Sequence, residues 1–162
     1  MGFILFIVFV ICIRTVELII SRRNEKWLLE NGALEYGHRH YPYIVALHTL
    51  FIISIIIEYY LSPAGCNWIY LITFILLILC KGWVIASLGV FWNTKIYRVP
   101  GYSLIKKGPY KYVKHPNYII VILEIFVIPM TFNLYYTAII FTLLNFIMLS
   151  VRIRVENEAL KV

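Results

Sequence analysis

Long apolar runs alternate with short polar segments along this chain. A helix needs about 20 apolar residues to cross the hydrocarbon core of a bilayer. The runs therefore predict about five transmembrane helices, at residues 2–20, 41–61, 68–90, 118–130 and 134–151. The fourth run is short, which predicts a tilted helix or a tight hairpin with the fifth. The pattern thus predicts an all-α integral membrane protein whose last two helices form a hairpin.

Positive charge lies on alternate sides of the predicted helices. Thirteen of the fifteen Lys and Arg residues follow the first, third and fifth helices, whereas the loops near Ala64 and Asn133 carry none. The positive-inside rule then places the N-terminus outside the cell membrane and the C-terminus in the cytoplasm, together with the long loop after the third helix. This distribution also accounts for the net charge of +7, so nucleic acid is not a predicted partner.

The chain is predicted to form one domain with two parts. Residues 1–91 hold three transmembrane helices and the segment 24–40, which predicts a short interfacial helix with its Trp and Leu side chains in lipid. Residues 92–162 hold the cytoplasmic loop and the C-terminal hairpin. The composition, 62% hydrophobic and 14% charged, differs from that of soluble domains, in which about a quarter of the residues are charged.

Several ionisable residues lie inside the apolar runs, where an unpaired charge costs about 2.5–3.5 kcal/mol. Arg14 and Glu17 share one helical face, which predicts a mutual ion pair. Lys81 and Glu124 are candidates for a pair between helices. His48 is interpreted as a hydrogen-bonded core residue rather than a ligand. The single His-x-His pair in the chain lacks further ligands, so no metal site is predicted.

The segment before the fourth helix carries the most distinctive chemistry. Gly108-Pro109 predicts a turn, and Pro116 suits the first helical turn, where a missing N–H costs nothing. The residue before a proline avoids helical backbone, so His115 is predicted to lie at the mouth of the helix N-terminus. The free N–H groups and the helix dipole at that end favour an anion.

The fifth helix offers a matching polar stripe, in which Asn145, Arg152 and Glu156 fall at i, i+7 and i+11. In a hairpin, this stripe and His115 border one pocket. Cationic and acidic side chains beside tyrosines suit a zwitterionic ligand that also carries a flat ring. The alternative interpretation of the same residues is a basic rim that snorkels among lipid headgroups.

Two elements resemble the signatures of a known enzyme family. Residues 108–118, Gly-Pro-Tyr-Lys-Tyr-Val-Lys-His-Pro-Asn-Tyr, resemble the G-P-Y-x-x-x-R-H-P-x-Y signature of isoprenylcysteine carboxyl methyltransferases. Residues 152–160 are similar to that family's R-x-x-x-E-E-x-x-L element, one helical hairpin later. The resemblance extends from about Trp92 to the C-terminus. It is closest to a short bacterial branch that includes alkylpyrone O-methyltransferases, which work beside type III polyketide synthases.

The resemblance implies a multi-pass enzyme that binds S-adenosylmethionine on the cytoplasmic side. It also implies a lipophilic acceptor that reaches the site from the bilayer. The predicted function is methylation of an oxygen on this acceptor, with an alkylpyrone-type polyketide as the first candidate and a prenylcysteine carboxylate as an alternative. Membrane lipid and a functionally coupled type III polyketide synthase are the other predicted partners.

The residues predicted to form the site fall into three groups. The catalytic residues, which orient donor and acceptor, are Arg152 and Glu156. The cofactor-binding residues are Lys107, Gly108, Pro109, Tyr110, Val113, Lys114, His115, Tyr118, Glu156 and Glu158. The substrate-binding residues are Trp83, Trp92, Asn93 and Asn145.

The sequence departs from the family pattern at two positions. Lys114 stands where arginine is usual, which keeps the charge but loses the bidentate fork. Asn157 stands where a second glutamate is expected, and Glu158 follows one place later. Either Glu156 or Glu158 therefore serves the cofactor.

Two other functions remain open. Membrane sterol and steroid reductases have a similar C-terminal hairpin and a related H-P-x-Y element but use NADPH, and this sequence offers no additional basic pair for a 2′-phosphate. A non-enzymatic lipid-binding or transport subunit would also carry paired intramembrane charges.

Overall fold

The computed structural model describes residues 2–102 and 105–159. These residues form the helices α1 (Gly2–Glu30), α2 (Tyr41–Leu61), α3 (Trp68–Leu88), α4 (Pro116–Met130) and α5 (Tyr135–Ala159). They also form the strands β1 (Leu34–Tyr36) and β2 (Ile96–Arg98) and the 3-10 helices Gly89–Phe91 and Gly108–Lys111. Leu160, the last residue of the C-terminal element, and Lys161 of the basic tail lie outside the described residues.

The bundle has the surface of a membrane protein. Among the described residues, α1, α2, α5 and α3 with its following 3-10 helix are long and apolar enough to span a bilayer, whereas α4 is apolar but has only 15 residues. Large apolar side chains cover the outside, including Leu61 at 79% and Ile69 at 75% exposure. Exposed apolar surface costs about 25 cal/mol per Å² in water, so this surface suits lipid. The predicted all-helical membrane class is confirmed, with four helices of spanning length beside the shorter α4.

The predicted hairpin of α4 and α5 is present. Asn133 adopts left-handed backbone at φ 56°, and the N–H of Leu134 donates to the carbonyl of Pro129 at 3.1 Å, which closes the turn. Glu58 of α2 caps α5 by accepting from the backbone N–H of Thr137 at 2.7 Å. A carboxylate at this position satisfies free N–H groups and opposes the helix dipole.

A four-residue ion network joins α1, α3 and α4 inside the bundle. Arg14 donates to Glu17 and to Glu124, each at 2.9 Å. Lys81 lies 2.8 Å from the same two carboxylates. The predicted pair Arg14–Glu17 is confirmed, the candidate pair Lys81–Glu124 is present, and both belong to one network. Two cations and two anions balance, which makes the charges tolerable at membrane depth.

The predicted interfacial helix at residues 24–40 is wrong. α1 continues through residue 30 because its polar face packs against protein: Asn24 donates to the carbonyls of Gly89 at 3.1 Å and Trp92 at 2.7 Å. Leu28, predicted to enter lipid, is 1% exposed in a small protein core. A surface amphipathic helix and a helix face docked on a neighbouring loop have the same periodicity, so the sequence pattern does not separate them.

A strand pair follows α1 where helix was expected. Gly32, at φ 76°, turns the chain after α1. β1 then pairs antiparallel with β2, with Leu34 opposite Arg98 and Tyr36 opposite Ile96. This pair connects the end of α1 to the long segment between α3 and α4. These segments gather at the end of the bundle where α3 ends and α4 begins, which is called the loop end below.

α5 is two turns longer than its apolar run. The predicted helix ended at Val151, whereas α5 continues to Ala159. One face of the extension is covered, because Arg152 is 8% and Ala159 1% exposed. The extension places the polar stripe of the C-terminal element on a continuous helix at the loop end.

The ion network yields a prediction about stability. Replacing Glu124 with Gln leaves Arg14 and Lys81 opposite a single carboxylate, Glu17, in a buried site. Breaking one partner of a buried ion pair costs about 3–5 kcal/mol. We expect Glu124→Gln to lower the free energy of unfolding by that amount in a denaturant titration of the protein in detergent.

The matched control is Glu30→Gln. Glu30 lies 4.0 Å from Lys26 in an exposed pair, and such pairs contribute about 0–1 kcal/mol. Equal losses in the two variants would contradict a stabilising role for the internal network.

Candidate active site

The turn at Gly108 packs closely against α3. Gly108 has a φ of 56°, and an added Cβ would overlap Ser87 Oγ and lie 3.2 Å from Trp83 Nε1. Pro109 follows within the 3-10 helix, and the N–H of Tyr112 donates to its carbonyl at 3.1 Å. Glycine at this position therefore allows both the left-handed backbone and the close approach.

His115 lies at the entry to α4, as predicted from the following proline. Its backbone is non-helical, at φ −129° and ψ 61°, and Pro116 occupies the first turn of the helix. Its ring stacks on Tyr118 with centroids 5.4 Å apart and planes 15° from parallel. His115 Nδ1 lies 3.6 Å from a carboxylate oxygen of Glu156. The predicted meeting of this imidazole with the acidic end of α5 is therefore present.

A directional hydrogen-bond chain joins α4 to α5. Arg152 Nε donates to the hydroxyl oxygen of Tyr118 at 2.9 Å, and the Tyr118 hydroxyl donates to Glu156. The Arg152 guanidinium also lies 5.4 Å from the Tyr118 ring centroid. Because the hydroxyl donates to an anion and accepts from a cation, its orientation is fixed.

These residues border a polar cavity of about 100 Å³ at the loop end. Its walls come from the end of α3, β2 and its flanks, the start of α4 and the end of α5. The lining side chains are Leu88, Phe91, Trp92, Asn93, Lys95, Ile96, Tyr97, Arg98, Tyr110, His115, Asn117, Tyr118, Arg152, Glu156 and Ala159.

A second, wider cavity of about 450 Å³ extends from the same point toward the middle of the bundle. Its walls come from α1, α2, α4 and α5, with Lys81 of α3, and most of its lining surface is apolar. Both cavities are lined by Trp92, Asn93, Asn117, Tyr118 and Arg152. A polar chamber and an apolar chamber therefore meet at one group of side chains.

Four buried polar atoms on residues of the polar cavity are unpaired. Trp92 Nε1, Arg98 Nε, His115 Nε2 and Asn117 Oδ1 have no hydrogen-bond partner among the described residues. Buried polar groups in folded proteins are normally paired. These atoms are two N–H donors, an imidazole nitrogen and an amide oxygen.

Burial, together with nearby carboxylates, keeps Tyr97 and Tyr110 of this cavity neutral. Burial, with the Glu156 carboxylate nearby, raises the pKa of Tyr110 well above its usual range. Burial and the hydrogen bond to Glu25 raise the pKa of Tyr97 in the same direction. Glu25 also accepts from Lys95 at 2.6 Å, which raises the pKa of that ammonium. The network of Lys95, Tyr97 and Glu25 anchors β2 to α1 and so supports one wall of the cavity.

The structure brings many of the predicted site residues together. Tyr110, His115, Tyr118, Arg152, Glu156, Trp92 and Asn93 line the polar cavity, and Asn145 lines the wide one. Gly108 and Pro109 shape the turn beside them without lining either cavity.

Other predicted residues lie apart from both cavities. Lys107, Val113, Lys114 and Glu158 are exposed, and Trp83 is 56% exposed on the outer face of α3. Glu156 and Glu158 were both candidates for the acid that serves the cofactor, and of the two Glu156 lines the polar cavity. Lys114 is one residue from His115 but points to the surface because the two side chains diverge around the non-helical backbone.

Two of the cavity residues that the sequence reasoning missed carry unpaired buried polar atoms. Asn117 lies at a variable position of the H-P-x-Y element, yet it lines both cavities. Arg98 was counted only as one of the loop's positive charges, yet it lines the polar cavity through the pairing of β2 with β1. The alternation of side chains along a strand would have indicated Arg98 only if the strand itself had been predicted.

Comparison with known proteins identifies the family of this chain. Residues 68–162, more than half of the chain, match the isoprenylcysteine carboxyl methyltransferase (ICMT) family. The chain belongs to this family. Members of the ICMT family are membrane methyltransferases that depend on S-adenosylmethionine.

Two relatives extend the similarity over nearly the whole chain. The uncharacterized protein YpbQ of Bacillus subtilis (strain 168) is 45% identical over 98% of this chain and 96% of its own length. An uncharacterized protein of Haemophilus influenzae is 33% identical over 93% of this chain and 90% of its own length. The ICMT match begins at α3, so α1 and α2 are outside the matched region although both contribute to the wide cavity.

The tight turn yields a second prediction. Gly108→Ala introduces a methyl group that overlaps Ser87 Oγ and also strains the left-handed backbone. Overpacking costs about 1–3 kcal/mol, and left-handed backbone costs about 1–2 kcal/mol for a residue with a Cβ. We expect a loss of unfolding free energy equal to both effects, measured by denaturant titration in detergent.

Two variants distinguish the steric overlap with Ser87 from the strain of the left-handed backbone. Gly101→Ala carries only the backbone strain, since Gly101 has a φ of 79° and open space around it. Gly108→Ala combined with Ser87→Ala removes the overlapping oxygen and should recover part of the loss. If Gly108→Ala costs no more than Gly101→Ala, the close approach to α3 has no energetic importance.

Proposed function

We propose that this ICMT family member transfers a methyl group from S-adenosylmethionine to an oxygen atom of a lipophilic acceptor drawn from the bilayer. The observation that carries this proposal is the meeting of a polar cavity and an apolar cavity at Tyr118 and Arg152. A water-soluble cofactor and a membrane-embedded acceptor need such a pair of chambers with one shared wall. Methyl transfer between them requires that the reacting atoms approach in line.

The polar cavity has the chemistry for S-adenosylmethionine. The Arg98 guanidinium offers a positive charge for its carboxylate, and Glu156 offers a carboxylate for its ammonium group. The Tyr110 and His115 rings offer flat faces for the adenine or for the sulfonium charge. When bound, the cofactor supplies a methyl group on a positively charged sulfur.

The chain's own residues align and stabilise the reaction. Arg152, held by its bond to Tyr118, presents a fixed positive charge at the junction, where it favours an anionic acceptor oxygen. Charge is lost as a cationic donor meets an anionic acceptor, so a site that excludes water favours the step. Alignment of this kind contributes up to about 7–11 kcal/mol when the geometry is ideal.

The acceptor is proposed to be an alkylpyrone-type polyketide, with a prenylcysteine carboxylate as the second candidate. The family match supports the second at least as well as the first. The wide cavity suits either, because its apolar surface accommodates an alkyl or prenyl tail. A type III polyketide synthase is proposed as the functional partner in the first case. The positive-inside rule favours a cell-membrane location with the loop end in the cytoplasm.

Cofactor binding gives a direct test. We expect the purified protein in nanodiscs to bind S-adenosylmethionine by calorimetry, and His115→Ala to weaken the affinity more than tenfold because it removes a wall of the polar cavity and the stack on Tyr118. The control His38→Ala changes an exposed histidine and should leave affinity unchanged. Binding of NADPH in place of S-adenosylmethionine, or unchanged affinity in a folded His115→Ala protein, would refute the assignment.

Turnover tests the proposed role of Arg152. Loss of one preorganised group that stabilises an oxyanion costs about 10²–10³ in rate. We expect Arg152→Ala to reduce methylation of a long-chain acceptor by at least 100-fold while the protein still folds. Arg154→Ala, two residues along the same helix and exposed, should retain full activity. Equal activity of the two variants would remove Arg152 from the site.

A further inference from the structure

The wide cavity contains a histidine with a free lone pair. His48 of α2 lines this cavity, and its Nδ1 lies 2.8 Å from the carbonyl oxygen of Ile44. A carbonyl oxygen only accepts hydrogen bonds, so Nδ1 carries the proton and the neutral ring leaves Nε2 as an acceptor. The structure gives Nε2 no partner within the described part of the chain. The interpretation of His48 as a hydrogen-bonded core residue therefore accounts for only one of the two ring nitrogens.

The register between α2 and α5 places this ring near the site. The helices run antiparallel: Ser54 contacts Thr137 at 2.8 Å, and the Phe51 and Phe141 ring centroids lie 5.5 Å apart. Continuing this register, His48 lies opposite Asn145, and the residue one turn earlier in α2 lies opposite Met148. Both α5 residues line the cavity.

Side-chain direction carries the His48 ring toward the loop end. Side chains lean toward the N-terminus of their helix. The bond of His48 to Ile44 shows this lean, which carries the ring one turn toward the loop end. The ring therefore lies within a cavity that Arg152 and Tyr118 also line.

The carboxylates Glu17 of the wide cavity and Glu156 of the polar cavity are already engaged. The carboxylate of Glu17 lies 2.9 Å from Arg14 and 2.8 Å from Lys81, and Glu156 accepts from the Tyr118 hydroxyl. The charged and titratable groups around the ring come from every neighbouring helix. They are Arg14 and Glu17 of α1, Tyr41 of α2, Lys81 of α3, Glu124 and Tyr118 of α4, and Arg152 of α5. The four members of the ion network sum to zero formal charge.

We propose that His48 is a catalytic residue that accepts the proton of a hydroxyl-bearing acceptor during methyl transfer. The proposal rests on the function proposed above and narrows its substrate class to phenols and enols. The acceptor oxygen forms the new bond to the methyl carbon while the sulfur–methyl bond breaks and its electron pair stays on sulfur. The hydroxyl proton passes to His48 Nε2, and the resulting imidazolium later releases it to water.

Asn145 complements His48 on the opposite wall. Asn145 is 2% exposed, and its Nδ2 donor has no hydrogen-bond partner within residues 2–102 and 105–159. A donor on one wall and an acceptor on the other suit a head group with a hydroxyl and a second oxygen. A carboxylate acceptor such as prenylcysteine is already an anion and needs no proton acceptor, so it would leave the Nε2 of His48 unused.

Three acceptors of graded acidity test the proposal in nanodiscs with S-adenosylmethionine. They are a 5-alkylresorcinol, a long-chain 4-hydroxy-2-pyrone and N-acetyl-S-farnesylcysteine. General-base catalysis contributes about 10²–10⁴ in rate. For His48→Gln we expect a loss of at least 100-fold in kcat with the resorcinol near neutral pH, a smaller loss with the more acidic pyrone, and none with the carboxylate. Affinity for S-adenosylmethionine should stay unchanged.

Two further measurements distinguish proton transfer from a structural role. The loss of kcat that His48→Gln causes with the resorcinol should become smaller as the pH approaches the acceptor's own pKa, since a phenolate needs no base. Imidazole added to the buffer should restore part of the activity of His48→Ala. The control Tyr43→Phe changes an exposed residue of the same helix and should behave as wild type.

The outcomes distinguish the role proposed for His48 from the broader proposal of methyltransferase function. Equal loss with all three acceptors, a loss that does not change with pH, or full activity of His48→Gln would overturn the role of His48 alone. Methylation of only the carboxylate by the wild-type protein would also overturn it while leaving the methyltransferase function intact. Methylation of none of the three acceptors would refute the proposed function, and the role of His48 with it.

Discussion

The internal ion network is the constraint on which the rest of the structure depends. The Glu124 carboxylate accepts from both Arg14 and Lys81, so one group of a short helix fixes the positions of two long ones. Lipid offers no alternative partner for these charges, because an unpaired ion at that depth is too costly. The network therefore determines the position of α4, whose first turn carries Tyr118 and whose preceding residue is His115, two rings that line the polar cavity.

The site combines elements at the loop end of the bundle with elements that lie within the membrane. The segments at the loop end and the two extra turns of α5 provide polar walls, while the membrane-buried parts of α1, α2 and α5 provide apolar ones. Tyr118 and Arg152 lie where the two sets of walls join. The bond between them, with Glu156 at its end, ties the hairpin helices together at the point where a donor and an acceptor would meet.

The sequence predicted the parts of the fold that follow from local periodicity and from proline. Apolar run lengths located the helices, and the proline after His115 located the start of α4. The strand pair was not predicted, because strands of three residues carry no readable period and their partners are about 60 residues apart. Because β2 was not predicted, the position of Arg98 at the polar cavity was not predicted either. Residues such as Lys114 were expected at the site from their neighbours in sequence, but adjacent positions on irregular backbone face different directions.

The family match begins at α3, whereas much of the wide cavity's wall lies before it, on α1 and α2. Under the function proposed above, recognition of the methyl acceptor would draw on α1 and α2 as well as on α4 and α5, whereas the residues that line the polar cavity all lie after residue 87. Substitutions on the cavity-facing sides of α1 and α2 would then change the preferred lipid without altering the side chains that line the polar cavity. A small fold of this kind can diversify its chemistry by altering one half of the chain, without a new domain.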